Sequence, residues 1–420
     1  MKLAHSERGV KYYLSFLLIL VIICFSFYPT RALPIMRGGV TPYFVGIVLS
    51  VLCVPSFFKN KCSYYVLAYV FVVFLNHFLG NKALPTIGAT LTESIGVFLP
   101  AVVFFLSMTR KGDVYNKLLL YSFLIILGVF AFQSYQLDQM MPGIIRSIVH
   151  MEDESEAEAF LMFGLAPYAL PHALPVLIPP CVMAIKGADK KYYRVIALVS
   201  LICVILLVSL SQSFGAFVLA FFTLLLSLLV REGGLKRNAK VLIISTFFVL
   251  LFAGETVQVT IIEFFRGFFD MDSKMYEKLT DLLVGVLSES DQAVSNVSGS
   301  RGNLLELTIQ AILRNPLFGV NDRSYGNHNA LLDRWACFGL VGFIPLILFI
   351  YNIIKLTIKQ IPYNIQTYYV ISVISSLIMM STKNMMGWYQ WVCFVLVMPL
   401  MFFVWKEKEC FPKSSIKRRF

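Results

Sequence analysis

The chain has 420 residues, of which 58% are hydrophobic and only 14% are charged. Soluble domains carry about 25% charged residues, so this composition excludes an ordinary soluble fold. The formal net charge of +12 reflects in part the unequal placement of Lys and Arg between loops that orients membrane proteins. Nucleic acid is therefore not expected as a partner, whereas the lipid bilayer is.

Apolar runs of about 16 to 24 residues recur along the sequence, and each could cross a hydrocarbon core about 30 Å thick as a helix. They predict an all-α, polytopic integral membrane protein, with about twelve transmembrane helices in a single membrane domain over residues 1–420. The predicted spans lie near residues 12–28, 40–57, 63–79, 92–108, 117–133, 161–184, 192–210, 213–230, 240–255, 336–354, 366–381 and 388–405.

Lys and Arg are most frequent in alternate short loops, and this bias predicts that the N-terminus and the basic C-terminal tail are cytoplasmic. No cleavable signal peptide is expected, because residues 29–31 (PTR) lack a small-residue cleavage site. Two outer segments, residues 134–160 and residues 256–335, are longer than ordinary connectors. The longer segment has helical periodicity, so we expect it to be functional rather than disordered.

The long outer loop begins with two amphipathic segments, residues 259–272 and 274–287, which predict helices lying on the membrane interface. After a polar linker, a further helix is predicted to begin with Ser300 as its N-cap and to end before Pro316. Its apolar residues fall on one face: Leu304, Leu305, Ile309, Ile312 and Leu313.

This further helix carries an arginine near each end. Arg301 and Arg314 are roughly 20 Å apart at 1.5 Å per residue, so one phosphate group cannot contact both. Arg301 lies where free N–H groups and the helix dipole favour an anion, which makes it the better candidate ligand. Arg314 lies at the other end, where a cation also complements the dipole without binding anything.

His328 is the histidine of the long outer loop, and its neutral imidazole could take a proton from a sugar hydroxyl. The alternative is that His328 and its neighbours Asn327 or Asn329 only cap the next membrane helix. His172 and His77 are further candidates within predicted spans, although a proline-rich context or an interface position explains each. The acidic run 152–158 could bind a cation or a glycan, or be a solvated helix start.

Several motifs that specific classes of enzyme require are absent from the sequence. The first outer loop, residues 29–39, contains neither Asp nor Glu, whereas metal-dependent membrane glycosyltransferases need an acidic pair there. The sequence has no Walker motif, no H-E-x-x-H and no G-x-S-x-G, so ATPase, zinc protease and lipase functions lack support. We therefore expect no metal and no cofactor, with an anionic leaving group stabilised by arginines and helix N-termini.

About forty-five residues of the long loop and the following span resemble a known family. The segments are SRGNLL from Ser300, RNPLFGV from Arg314, GNHN from Gly326, and GLVG from Gly339. Together they resemble the O-antigen polymerase and O-antigen ligase superfamily of bacterial envelopes. Elsewhere the likeness is limited to topology and loop placement.

The resemblance implies a metal-independent glycosyltransferase of the bacterial inner (cytoplasmic) membrane that acts on its periplasmic face. Its substrate would be a glycan carried on undecaprenyl diphosphate. In this sequence the catalytic histidine would be His328, which acts as a base or orients the acceptor. Binding of the diphosphate or glycan would fall to Arg301, with Arg314, Arg146, Arg323 and Asn329 as further candidates.

One position departs from the family pattern. Members often carry Ser-Arg or Thr-Arg at the outer start of the span after the tight turn, where this chain has Ser211-Gln212-Ser213 followed by Phe214. Another cation would have to take the place of that arginine: Arg146, Arg266 or Arg323.

The spacing from Pro316 to His328 favours a polymerase of O-antigen, capsule or exopolysaccharide, which extends a lipid-linked repeat unit. The alternatives are an O-antigen ligase, which transfers the glycan to lipid A–core, and a lipid-linked glycan transporter or flippase. A chain-length regulator and a flippase of the same pathway are the protein partners that the resemblance suggests.

Overall fold

The computed structural model describes residues 57–58, 60–79, 86–109, 114–148, 151, 154–231, 238, 300–320, 325, 329–382 and 387–406, and scattered positions between 263 and 283. Every regular element in this part of the chain is helical, and none of it forms a strand. The predicted all-α class is confirmed for these residues.

The described helices coincide with the apolar segments of the sequence, and some of them are interrupted at glycines or prolines. In chain order they are α1 (Lys61–Phe78), α2 (Ile87–Thr109), α3 (Val114–Met140), α4 (Ile144–Ser147), α5 (Glu154–Met162), α6 (Ala169–Ala173), a 3-10 helix (Leu174–Leu177), α7 (Ile178–Gly187), α8 (Lys191–Leu210), α9 (Phe214–Leu229), α10 (Ser300–Arg314), α11 (Ala330–Ile358), a 3-10 helix (Tyr363–Ile365), α12 (Gln366–Thr382), α13 (Trp388–Trp391), a π-helix (Val392–Val397) and α14 (Met398–Trp405).

Seven stretches of the described chain are long and apolar enough to cross a membrane: Lys61–Phe78, Ile87–Met108, Val114–Met140, Ala169–Gly187, Lys191–Leu210, Ala330–Ile358 and Trp388–Trp405. The predicted spans at 213–230 and 366–381 are also helical, but α9 and α12 have only 16 and 17 residues. The predicted spans 12–28 and 240–255, and nearly all of 40–57, lie outside the described residues. A total of twelve therefore stays a prediction.

The predicted span 161–184 is placed wrongly. The helical stretch that can cross the membrane begins at Ala169 and is assembled from α6, a 3-10 turn and α7. Prolines recur through it, and each one removes a backbone donor and obstructs the preceding turn: Pro171, Pro175, Pro179 and Pro180. The hydropathy of residues 161–168 resembles that of a span, but these residues complete α5 and a turn at Gly164, whose φ is +94°.

α8 displays the apolar outer surface expected of a membrane protein. Its residues Val195, Leu198, Val199 and Ile202 are between 47% and 61% exposed and follow the i, i+3, i+4, i+7 spacing of one helix face. A continuous apolar stripe on a helix surface is costly in water and favourable against lipid. The protein is therefore embedded in a membrane.

The helices have two distinct polar ends. At one end, Asn329 contacts Ser381 and His172 contacts Ser213; we call it the hairpin end. At the other, Lys186 and Tyr368 both contact the carbonyl of Val230; we call it the lysine end. α12 connects them, since Tyr368 lies in its first turn and Ser381 in its last.

Candidate active site

The arginine-bearing helix of the long loop is a single unbroken element. α10 runs from Ser300 to Arg314, so the predicted end before Pro316 is confirmed, while Ser300 is the first helical residue rather than the N-cap. Arg301 and Arg314 therefore lie at opposite ends of one helix, too far apart for a shared phosphate. Arg314 is exposed, and the side chain of Arg301 lies outside the described part.

The two faces of α10 have different surroundings. Ala311 and Ile312 pack against Ala336 of α11, which fixes the helix to the hairpin end. The face that carries Leu305, Ile309 and Leu313 is exposed instead. An apolar face turned away from the protein fits a helix that lies in the membrane interface.

The turn after α10 inserts into a break in α11. α11 leaves helical geometry at Gly339, whose φ of +61° and ψ of −172° free neighbouring backbone groups from their helical partners. The turn bonds to them: Leu340 N–H donates to the Pro316 carbonyl at 2.9 Å and Val341 N–H to the Leu317 carbonyl at 3.2 Å. In return, the N–H of Val320 donates to the Ala336 carbonyl at 2.8 Å. A broken span is tolerated in lipid when its backbone groups are paired in this way.

Two glycines permit this close approach. A Cβ on Gly339 would lie 2.1 Å from the Leu317 carbonyl oxygen, and one on Gly319 would lie 2.3 Å from the Cys337 carbonyl oxygen. Both residues also have positive φ, +61° and +79°, which side chains disfavour. The RNPLFGV and GLVG segments of the sequence are thus two halves of one interlocked backbone structure.

Asn329 and Asp333 anchor the first turn of α11. Asn329 is the N-cap, and its side-chain oxygen accepts the N–H of Leu332 at 3.0 Å. Its amide group donates to the carbonyl of Ser381 at the end of α12. The buried carboxylate of Asp333 accepts the Asn329 N–H at 2.8 Å and the hydroxyl of Thr308 in α10 at 3.1 Å. Asn329 therefore caps α11, while its role in binding a glycan or diphosphate stays a prediction.

This anchor fixes Asn329, to which His328 is covalently joined. His328 itself and Arg323 lie outside the described residues. Between them, Tyr325 is described and packs against both the main core and the small cluster beneath α10. Burial, as the main cause, raises the pKa of the Tyr325 hydroxyl above its ordinary value. Tyr325 is thus held at both of these clusters.

A largely buried ion pair at the hairpin end was not predicted from the sequence. Arg334 of α11 donates to both carboxylate oxygens of Glu93 in α2, at 3.0 and 2.7 Å, and the side chains are 15% exposed. Tyr69 of α1 donates its hydroxyl to Glu93 at 2.6 Å. Bidentate, charge-assisted contacts of this kind fix geometry strongly. The sequence does contain a signal for a buried polar contact here, because Glu93 is an acidic residue within the predicted span 92–108.

Arg146 contacts the turn that precedes Phe214, where the resemblance leads us to expect an arginine. This residue of α4 donates from Nη1 to the carbonyl of Gln212 at 3.1 Å, and its buried Nε has no hydrogen-bond partner. Gln212 has a φ of +48°, which is unusual outside glycine. The side chain of Gln212 lies against Gly143, where a Cβ would be 3.1 Å from its amide nitrogen. Arg146 thus contacts a residue that lies two positions before Phe214.

His172 stabilises the same turn through a hydrogen bond with Ser213. Its Nδ1 lies 2.9 Å from the carbonyl of Tyr168, which can only accept, so Nδ1 carries the proton. Nε2 therefore accepts the hydroxyl of Ser213 at 2.8 Å. Both side chains are at least 98% buried, which favours a positioning role over contact with a substrate.

Arg266, a further candidate for the missing cation, also lies near α9. Its guanidinium stacks over the ring of Tyr276 at 5.3 Å, and the adjacent Phe265 packs against Phe217 and Phe221 of α9. The described part of the predicted interfacial segment 259–272 is therefore held against the first half of α9 by aromatic contacts.

Compared with protein-family models and with curated proteins, the chain matches none. The likeness to O-antigen polymerases and ligases therefore depends on the motif residues of the sequence alone. Two parts of the candidate site are in place among the described residues: the interlocked turn with its Asn329 anchor, and the Arg146–Gln212 contact.

Proposed function

We propose that the protein is a metal-independent membrane glycosyltransferase that polymerises a bacterial surface polysaccharide. It would transfer a growing glycan from undecaprenyl diphosphate to a lipid-linked repeat unit on the periplasmic face of the inner membrane. The product class would be O-antigen, capsule or exopolysaccharide. The observation that carries the proposal is the interlock of the RNPLFGV turn with Gly339 beside the anchored Asn329, because it gives two motifs of the resemblance a common structural purpose.

In this proposal His328 acts as the general base. The acceptor hydroxyl attacks the anomeric carbon of the donor glycan, a new glycosidic C–O bond forms, and the bond to the diphosphate oxygen breaks. His328 takes the hydroxyl proton, and undecaprenyl diphosphate leaves as an anion. A base within hydrogen-bond reach of the attacking hydroxyl contributes about 10²–10⁴-fold to such a step.

Arginines would stabilise the departing diphosphate. Arg301 would contribute its charge together with the free N–H groups at the start of α10. Arg146 is the best supported second cation, since it lies beside Gln212 and retains an unpaired Nε. Two cations and a helix N-terminus replace the divalent ion that other glycosyltransferases use. The proposal includes about twelve spans, a periplasmic loop over residues 256–335, and cytoplasmic termini.

The proposal is tested in cells that lack their own polymerase and receive the full-length protein. His328→Ala and Arg301→Ala should each abolish long-chain polysaccharide while the protein remains in the membrane at its normal level. Arg314→Ala is the matched control, because Arg314 is exposed at the far end of the same helix. If both His328→Ala and Arg301→Ala still support long chains, the catalytic assignment fails.

A second candidate, a lipid-linked glycan transporter, is favoured by the broken helices. α11 is interrupted at Gly339, and the stretch Ala169–Gly187 is built from three short pieces. Discontinuous spans are typical of transporters, whose substrates bind at such breaks. The break at Gly339 is, however, filled by the protein's own turn, which leaves its backbone groups paired rather than open to a substrate.

A further inference from the structure

A cavity opens at the lysine end, far from the candidate active site. Its volume is about 640 Å³, and it is bounded by the ends of α7 and α9, the first turn of α12 and the residue after α14. A single phosphate ion would leave most of this space empty, whereas ligand pockets of about 300–1,000 Å³ hold molecules of drug size. The cavity is therefore large enough for a lipid headgroup.

The walls of this cavity are cationic. Lys186, Arg231 and Lys406 line it, and the described lining residues include no Asp or Glu. Asp189 lies close by, with its N–H bonded to the Trp405 carbonyl, but it is not part of the wall. An anion that enters the cavity therefore lies beside three basic residues, of which Lys186 already donates its N–H groups to backbone carbonyls.

Two of these cations are fixed in place. Lys186 donates to three carbonyls at the end of α9, those of Ser227, Leu228 and Val230, at 2.6–3.1 Å. This ammonium group neutralises the negative pole of α9, so the pole does not repel an anion in the cavity. Lys406 is only 4% exposed, so its side chain is closely packed and has little freedom to move.

The third cation, Arg231, is exposed, but its backbone is held. Its N–H donates to Asn238 Oδ1 at 3.0 Å, and its carbonyl accepts from Asn238 Nδ2 at 2.8 Å. The guanidinium can therefore move over the cavity mouth while its Cα stays fixed. Tyr368 completes the wall, with its hydroxyl bonded to the Val230 carbonyl and its ring 5.7 Å from the Lys186 ammonium.

The position of the cavity identifies its ligand class. It lies where α7, α9 and α14 end and α12 begins, which is the level of lipid headgroups for spans of this length. Basic pockets between transmembrane helices bind the phosphates of anionic lipids. We propose that this cavity is a binding site for a phosphate-bearing anion, supplied either by a membrane lipid or by soluble phosphate. The site is independent of the proposed glycosyltransferase activity.

The test measures retention of phosphatidylglycerol and of phosphatidylcholine by the purified full-length protein, using native mass spectrometry. The double variant Arg231→Gln/Lys406→Gln should bind phosphatidylglycerol about thirtyfold more weakly, since each basic residue is worth a factor of about five. Lys355→Gln is the matched control: Lys355 is exposed near the same end, lies over the Tyr351 ring and does not line the cavity. It should bind like the unaltered protein.

A second arm separates the two sources. Millimolar inorganic phosphate that raises the melting temperature of the unaltered protein but not of the double variant, without selective lipid retention, assigns the site to a soluble phosphate. Selective phosphatidylglycerol retention assigns it to a lipid. Should the double variant fail to fold, Arg231→Gln alone should weaken binding about fivefold, because Arg231 is exposed. The proposal is overturned if these variants bind phosphatidylglycerol and phosphate as the unaltered protein does.

Discussion

Replacing Gly339 by alanine should separate the RNPLFGV turn from α11. The new Cβ would lie 2.1 Å from the Leu317 carbonyl oxygen, so the turn must withdraw by more than 1 Å to reach an ordinary contact. The hydrogen bonds from Leu340 and Val341 to the turn, now 2.9 and 3.2 Å, would then be lost. Alanine also disfavours the left-handed φ of +61°.

The expected cost of Gly339→Ala follows from these losses. Each lost backbone hydrogen bond costs about 0.5–1.5 kcal/mol, and the sparsely populated backbone conformation of residue 339 adds about 1–3 kcal/mol once a Cβ is present. With two bonds lost, the free energy of unfolding should fall by about 2–6 kcal/mol. Polysaccharide formation should also fall sharply, because the loop that leads to His328 would lose its attachment.

Unfolding in increasing fractions of denaturing detergent, followed by circular dichroism, measures the stability change, and gel analysis of surface polysaccharide measures activity. Gly128→Ala is the control, because a Cβ on this glycine of α3 meets nothing within 4 Å. It should be neutral, or stabilising by up to about 1 kcal/mol. If Gly339→Ala stays within about 1 kcal/mol of the unaltered protein, the interlock does not stabilise the hairpin end.

Three further substitutions probe the surroundings of the interlock. Glu93→Gln leaves Arg334 buried without its counter-charge and should destabilise the protein by about 3–5 kcal/mol in the same unfolding assay; a loss below about 1 kcal/mol would contradict a buried pair. Asp333→Asn replaces the carboxylate that accepts the Asn329 N–H and should lower the free energy of unfolding by about 1–3 kcal/mol. An unchanged unfolding midpoint would contradict this anchor. Arg146→Ala should reduce polymer formation at least tenfold with little loss of membrane-inserted protein, whereas full activity would remove Arg146 from the diphosphate site.

Hydropathy and helix signals predicted much of this fold. Apart from 161–184, each predicted span within the described residues corresponds to a helical stretch, because a chain in lipid must pair its backbone groups internally and helices do so locally. The predicted span 161–184 begins too early. Hydropathy averages do not detect where prolines interrupt a helix, and four of them lie between residues 171 and 180. The arginines of α10 were correctly assigned to its two ends, because helix caps are local signals.

Long-range pairings could not be predicted. Glu93 and Arg334 are separated by 241 residues, and no periodicity connects them. Gly319 and Gly339 both belong to segments that were singled out, yet only the folded chain places each against the other segment's backbone. Arg146 was one of three candidates for the missing cation, and its contact with Gln212 depends on how α4 packs on the 211–213 turn.

Purified protein in proteoliposomes, supplied with undecaprenyl-diphosphate-linked repeat units and a metal chelator, decides whether this chain is a polymerase. We predict a ladder of glycan products from the unaltered protein and only single repeat units from His328→Ala, with the variant reconstituted at equal amounts. Release of undecaprenyl diphosphate should accompany each added unit. Glycan ladders of equal length from His328→Ala, or movement of the lipid-linked units across the bilayer with no ladder from the unaltered protein, would contradict the proposed function.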